Sequence, residues 1–419
     1  MIFNKTLLDK WLVLSTCSLA LLPVVPYLVN SICIIVWLCL VLVARISGPH
    51  KKIFHEKRDK LLFFLFGGNF FFLVFSLLYS IDRAAGGEFI VGELSMLVFP
   101  LGFFLFGLPV EDRKLLKEKV LTACWTATLL MTLWIFFCYQ HLHLFSHIRE
   151  ASSFNTIFRD AAQNATGKHP DYLSLYLVFA LFIAANRMIR AQHLSKKILY
   201  ALSLPLFLFL LLMLAERSPI LGLAIGSIII CFLQIKKMLT RWAVLLALCL
   251  SFLVVIRYTP SIYSRVLEVK NTALTPPVGL QFNSTNIRIG IYECSWELIR
   301  KNICLGVGAG SDRKLLSDCY TQFPTEAYKK TYYNTHNQYV NFWLLSGFAS
   351  LLLFLCSLSY SFVSAFRRKD YTQLFFIIIM TIAFASENIL SSQAGVVFYY
   401  LFICLMEYCK EGSVEGHTA

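Results

Sequence analysis

Residues 198–234 read ILYALSLPLFLFLLLMLA, then ERS, then PILGLAIGSIIICFLQ. Neither apolar run, 198–215 or 219–234, carries a charge. Each approaches the roughly 20 apolar residues that an α-helix needs to cross a ~30 Å hydrocarbon core. Glu216-Arg217-Ser218 between them leaves room only for a tight turn, so the segment predicts two successive membrane helices.

The pattern recurs along the chain. Apolar runs at 11–29, 31–45, 61–80, 88–109, 119–140, 171–186, 241–256, 337–362, 371–386 and 393–408 join these two. Of the 419 residues, 58% are hydrophobic and 15% charged, against about a quarter charged in soluble domains. The expected fold is an all-α polytopic membrane protein of about twelve transmembrane helices, with one large external loop containing amphipathic helices. The first run starts near Trp11 without a small-residue cleavage site and reads as a retained signal anchor.

The net charge of +14 suggests nucleic acid until the charges are placed. Most Lys and Arg sit in short links: Arg45–Lys60, Arg113–Lys119, Arg187–Lys197, Lys236 to Arg241, Arg367–Lys369 and Lys410. That is the positive-inside bias, not a basic groove. It predicts that both termini are cytoplasmic, and no nucleic-acid partner is expected. The chain divides into 1–170, with five helices and an external loop; 171–256, with four helices; the loop 257–336; and 337–419, with three helices and a tail. A loop of about 80 residues exceeds a mere connector and invites function.

The external arginines draw attention first. Arg217 stands at the turn between two apolar helices, where an ion faces a partner or cavity. The plain alternative is snorkelling, or a pair with Glu216. Arg288 opens the stretch Asn286–Arg300, in which Ile287, Ile291, Cys294 and Leu298 form an apolar stripe edged by Arg288, Tyr292 and Ser295. This predicts an amphipathic helix on the membrane surface, with Arg288 on a substrate anion, on Tyr292 or on lipid headgroups. Arg265, in Tyr263-Ser-Arg-Val, is a weaker third.

His336, in Asn334-Thr-His-Asn337-Gln-Tyr339, lies where the loop re-enters the membrane; its ring suits deprotonation of a hydroxyl, or a structural role. The glycines of Gly306-Val-Gly308-Ala-Gly310 follow no strand and predict a tight turn, not a nucleotide loop, with a backbone nest for a phosphate as the lesser alternative. His141, His143 and His147 do not share a helical face, and no external carboxylate cluster suits Mg²⁺, so no metal site is expected. Most of the thirteen cysteines lie in or beside apolar runs. Cys294, Cys304 and Cys319 fall in the long loop, where a Cys304–Cys319 bridge is one possibility.

Four stretches in order then resemble the O-antigen ligase/polymerase superfamily of bacterial envelope glycan assembly. They are His169-Pro-Asp-Tyr-Leu-Ser-Leu-Tyr; Glu216-Arg-Ser-Pro219; Arg288-Ile-Gly-Ile-Tyr-Glu-Cys-Ser-Trp-Glu-Leu-Ile with the following glycine turn; and His336-Asn-Gln-Tyr339 with Ser346-Gly-Phe348. Glu387-Asn-Ile-Leu-Ser-Ser-Gln393-Ala-Gly395 adds a late match. The likeness covers roughly 165–400; Asp171 departs from some members, and Arg265 has no strong counterpart.

The resemblance implies metal-independent, inverting glycosyl transfer from an undecaprenyl-diphosphate-linked glycan, without a cofactor. By it, Arg217 and Arg288 hold the diphosphate and His336 activates the acceptor hydroxyl. Arg265, Tyr292, Asn337 and His169 become substrate-binding positions. It implies a multi-pass protein of the bacterial inner membrane whose site faces the periplasm, among membrane lipids. One large loop followed by three spans favours a ligase acting on lipid A–core over a polymerase of lipid-linked repeat units. A lipid-linked oligosaccharide transporter is the third reading; polar groups gathered externally rather than at mid-membrane favour an enzyme.

Overall fold

The computed structural model describes residues 5–47, 57–106, 112–141, 151–258, 274–280, 282–329 and 331–410, with single positions between them. The described residues are overwhelmingly helical: α1 (Lys5–Leu19), α2 (Tyr27–Ser47), α3 (Lys57–Ser76), α4 (Arg83–Gly92), α5 (Ser95–Pro100), α6 (Arg113–His141), α7 (Ala151–Thr166) and α8 (Pro170–Arg190). There follow α9 (Leu194–Leu214), α10 (Arg217–Gln234), α11 (Met238–Tyr258), α12 (Ser284–Lys301), α13 (Ser311–Tyr320), α14 (Gln338–Arg368), α15 (Tyr371–Phe384) and α16 (Gln393–Tyr408).

Among the described residues, seven helices are long and apolar enough to cross a membrane: α2, α3, α6, α8, α9, α10 and α14. A bent pair, Arg83–Gly92 with Ser95–Leu105 at 44°, makes an eighth if it counts as one span. The expected run 88–109 is thus two segments, broken beside the buried Glu93. The expected run 11–29 is likewise divided, because α1 ends at Leu19 and α2 begins at Tyr27. The twelve expected runs therefore include several shorter apolar helices, α11, α15 and α16 among them.

The bundle is apolar outside as well as inside. Leu28, Leu202 and Leu246 are 73%, 66% and 61% exposed, as suits lipid-facing positions. At the centre, α15 and α16 are buried nearly all round, as helices apolar on every face must be. They have only 14 and 16 residues. The irregular segment between them, Ala385–Ser392, is held inside the protein: buried Gln338 accepts from the Leu390 N–H at 2.8 Å, and Asn388 accepts from Asn337 at 2.7 Å. Backbone outside an α-helix is tolerated in apolar surroundings only when its polar groups are satisfied in this way.

One end of the bundle collects the basic links. Arg58 and Arg113 donate to the last carbonyls of α16, Glu407 and Tyr408, while Lys117 pairs with Asp370 at 2.5 Å. The segment Ala385–Ser392, the α9–α10 turn and the start of α8 lie at the opposite end.

On that opposite end α12 and α13 form a small domain with its own core of Ile287, Ile291, Ile299, Leu316, Tyr320 and Leu344. Here an expectation is corrected. The apolar stripe of α12 closes on α13 and α14, not on the membrane surface, and Ser295 is fully buried with its hydroxyl on Ile291 O. Protein core covers the stripe better than headgroups because it excludes water completely. The Cys304–Cys319 possibility is corrected too. Cys294 bonds Cys319 with Cα atoms 5.8 Å apart, and Cys304 is an exposed free thiol. Cys294 faces α13 on the buried stripe; Cys304 lies beyond the helix end.

The glycine turn is structural, as expected. Gly306, Gly308 and Gly310 all have left-handed φ. The turn's N–H groups are consumed: Val307 and Gly308 donate to Leu344 and Leu345 O at 2.7 and 3.0 Å, and Ala309 to Ser76 Oγ at 3.0 Å. Donors so occupied are not available to a phosphate.

Candidate active site

Asn283 starts α12 with a capping box: its side chain accepts from the Thr285 and Asn286 N–H groups, and Asn286 returns a bond to the Asn283 N–H. With the apolar stripe buried, the helix presents Arg288 and Tyr292 to the Ala385–Ser392 segment. There Arg288 Nη2 pairs with Glu387 Oε1. The other oxygen of the same carboxylate, Oε2, lies 2.7 Å from His336 Nδ1. One carboxylate thus joins the arginine and the histidine that the sequence singled out.

His336 adopts a left-handed φ of 44°, unusual outside glycine. It is over-determined. Its N–H donates to Asn334 Oδ1 at 3.0 Å, and the Tyr292 hydroxyl reaches its carbonyl at 3.4 Å. Asn337, immediately after it, caps α14 by accepting from the Tyr339 and Val340 N–H groups, while its amide donates to Ala385 O. Asn337 therefore holds the histidine turn with both side-chain atoms engaged in structure. Burial pushes the Tyr292 phenol up, so it stays a neutral donor. The side chains of Arg288, His336 and Glu387 are 34%, 26% and 19% exposed, open enough to meet a ligand.

Arg217 opens α10 and donates to Glu268 Oε2 at 3.1 Å and Ser284 Oγ at 3.0 Å. Ser284 and Thr285 both donate to Glu268 Oε1. Arg217 is thereby tied to the first turn of α12, one turn from Arg288. Its carboxylate partner is Glu268, not the adjacent Glu216. Glu216 instead pairs with Arg159 at 2.6 Å. Burial first, and then the neighbouring Asp171 carboxylate, push the Glu216 carboxyl well above the usual range. His169 caps α8 and lies 3.0 Å from Asp171; that hydrogen bond raises its pKa. Glu387 acts electrostatically on both His169 and Glu216, so this second polar cluster borders the first.

The structure thus brings together Arg288, His336 and Tyr292, sets Arg217 beside them, and puts His169 in a flanking network. Arg265, His143 and His147 lie outside the described residues. Glu268 and Glu387 were given no role from sequence. Among the described residues, no group of three or more His, Cys, Asp or Glu is arranged to hold a metal ion.

Residues 202–355 match the Wzy_C family model, described as O-antigen ligase. The match supports a likeness of this segment to the O-antigen ligase superfamily. The match contains Arg217, Arg288 and His336; Glu387 and His169 lie beyond it. No curated protein sequence matches the chain.

Proposed function

We propose that this protein is an O-antigen ligase, transferring a polysaccharide from undecaprenyl diphosphate to lipid A–core at the outer face of the bacterial inner membrane. The observation that carries the reading is the single carboxylate of Glu387, joining an arginine suited to a diphosphate and a histidine suited to an acceptor hydroxyl. With Nδ1 turned to Glu387, Nε2 of His336 is the nitrogen that accepts a proton. It takes the hydroxyl proton as the acceptor oxygen bonds to the anomeric carbon. The bond from that carbon to the diphosphate oxygen breaks on the opposite face, which inverts the configuration. Arg288 and Arg217, permanently charged and bidentate, stabilise the departing diphosphate. The basic end of the bundle is then cytoplasmic, and the site periplasmic.

The test is deletion of the gene followed by gel analysis of envelope glycans. Free lipid-linked polymer with bare core supports a ligase. Core capped by one repeat unit marks a polymerase, and unchanged glycans with a solute defect mark a transporter. Arg288→Ala and His336→Ala should each abolish surface polymer while the protein still inserts; full activity in either variant refutes its assigned role.

A further inference from the structure

At the basic end, far from the site, an open groove of about 840 Å³ runs between α1 and α6. That volume falls within the ~300–1,000 Å³ typical of ligand pockets. Its α1 wall is one helical face, with Lys10, Val13, Leu14 and Cys17 in succession. The α6 wall opposite runs from Leu115 and Leu116 through Lys119 to the smaller Thr122, Ala123 and Thr126. Leu14 is 59% exposed along the groove. From Asp9 to Cys17 the α1 wall rises about 12 Å at 1.5 Å per residue, most of the depth of one leaflet of a ~30 Å core. An apolar cleft in that position takes hydrocarbon.

The charged lining of the groove identifies the head of the occupant. It comprises Lys10, Lys119, Asp9 and Asp112. A purely anionic headgroup satisfies the lysines but sets its charge against the Asp112 carboxylate. A choline headgroup offers no N–H to that carboxylate. A phosphate followed by a primary ammonium answers both signs. Asp112 is fixed for this role, because its Oδ1 accepts the Leu115 N–H at 2.8 Å as the cap of α6.

We propose that the α1–α6 groove binds an ethanolamine phospholipid of the leaflet at the basic end. Lys10 and Lys119 hold its phosphate, Asp112 its ammonium, and one acyl chain lies between the helices. The lipid completes the seam between α1 and the rest of the bundle.

The experiment uses the purified full-length protein in detergent, with equal amounts of phosphatidylethanolamine, phosphatidylglycerol or phosphatidylcholine. Native mass spectrometry reads lipid retention, and thermal melting reads stabilisation. The wild type should retain phosphatidylethanolamine at least tenfold more strongly than the other two, and melt higher with it. A lysine near a headgroup is worth roughly fivefold in binding, so the double variant K10Q/K119Q should weaken retention about 25-fold. Ala123→Trp should displace the lipid. Asp112→Asn, which keeps a capping oxygen, should erase the preference for ethanolamine while melting without lipid is unchanged. Equal retention of the three lipids, preference for phosphatidylglycerol, or undiminished ethanolamine preference in Asp112→Asn overturns the proposal.

Discussion

Glu387 offers one carboxylate oxygen to Arg288 and the other to His336. In the proposed reaction its place is therefore positional: it holds the ring tautomer of one partner and the fork of the other. Glu387→Gln should cut glycan transfer roughly 10²-fold or more, the usual range for a disturbed acid–base group. Glu387→Asp should recover part of that loss, which a merely structural glutamate would not require; equal loss in both variants argues against the shared-carboxylate role. A second residue-scale expectation concerns Glu216. Its folded-state pKa is raised by burial and by Asp171. The folded state thus binds the extra proton, and stability falls as pH rises from the unfolded carboxyl value, about 4.3, toward the higher folded value. Glu216→Gln mimics the protonated form and should flatten that decline. Melting curves of both proteins between pH 5 and pH 8 check it, and an unchanged slope removes Glu216 as the cause.

At the scale of elements, α12 matters most, because its N-terminal half carries Arg288 and Tyr292 while its buried stripe locks it to α13 and α14. The Cys294–Cys319 bond reinforces that lock, closing a sequence separation of 25 residues. A loop of this size restricts the unfolded state by roughly 3–4 kcal/mol. The double variant C294S/C319S should become protease-sensitive within α12 and α13 and lose transfer activity, with the membrane helices intact. Cys304→Ser should leave both unchanged. Non-reducing peptide mapping that joined Cys304 to either partner would contradict the pairing.

For the whole molecule, the site and the basic links occupy opposite ends of one bundle, and the exposed surface between them is apolar. The exposed thiol of Cys304 stands at the site end. A membrane-impermeant maleimide applied from the periplasmic side should label it in the otherwise native protein. A thiol introduced at the basic end, Lys196→Cys in a Cys304→Ser background, should react only after the membrane is opened. Reversal of that pattern would invert the orientation and move the site to the cytoplasm.

The all-helical, multi-pass membrane character was legible in the sequence, because it depends on local composition: the length of the apolar runs and the charge in the links between them. Arg217, Arg288 and His336 were legible as candidates by residue type, and the fold does bring them to one place. What covers the apolar face of α12 was not, since headgroups and protein core favour the same periodicity. Nor was the pairing of Cys294, for spacing does not say which of three thiols faces another. Above all, the carboxylate that unites the site stands 99 residues from Arg288 and 51 from His336. Only the packing of α12 against the segment between α15 and α16 closes those distances, because a side-chain contact across separate helices is decided by the fold.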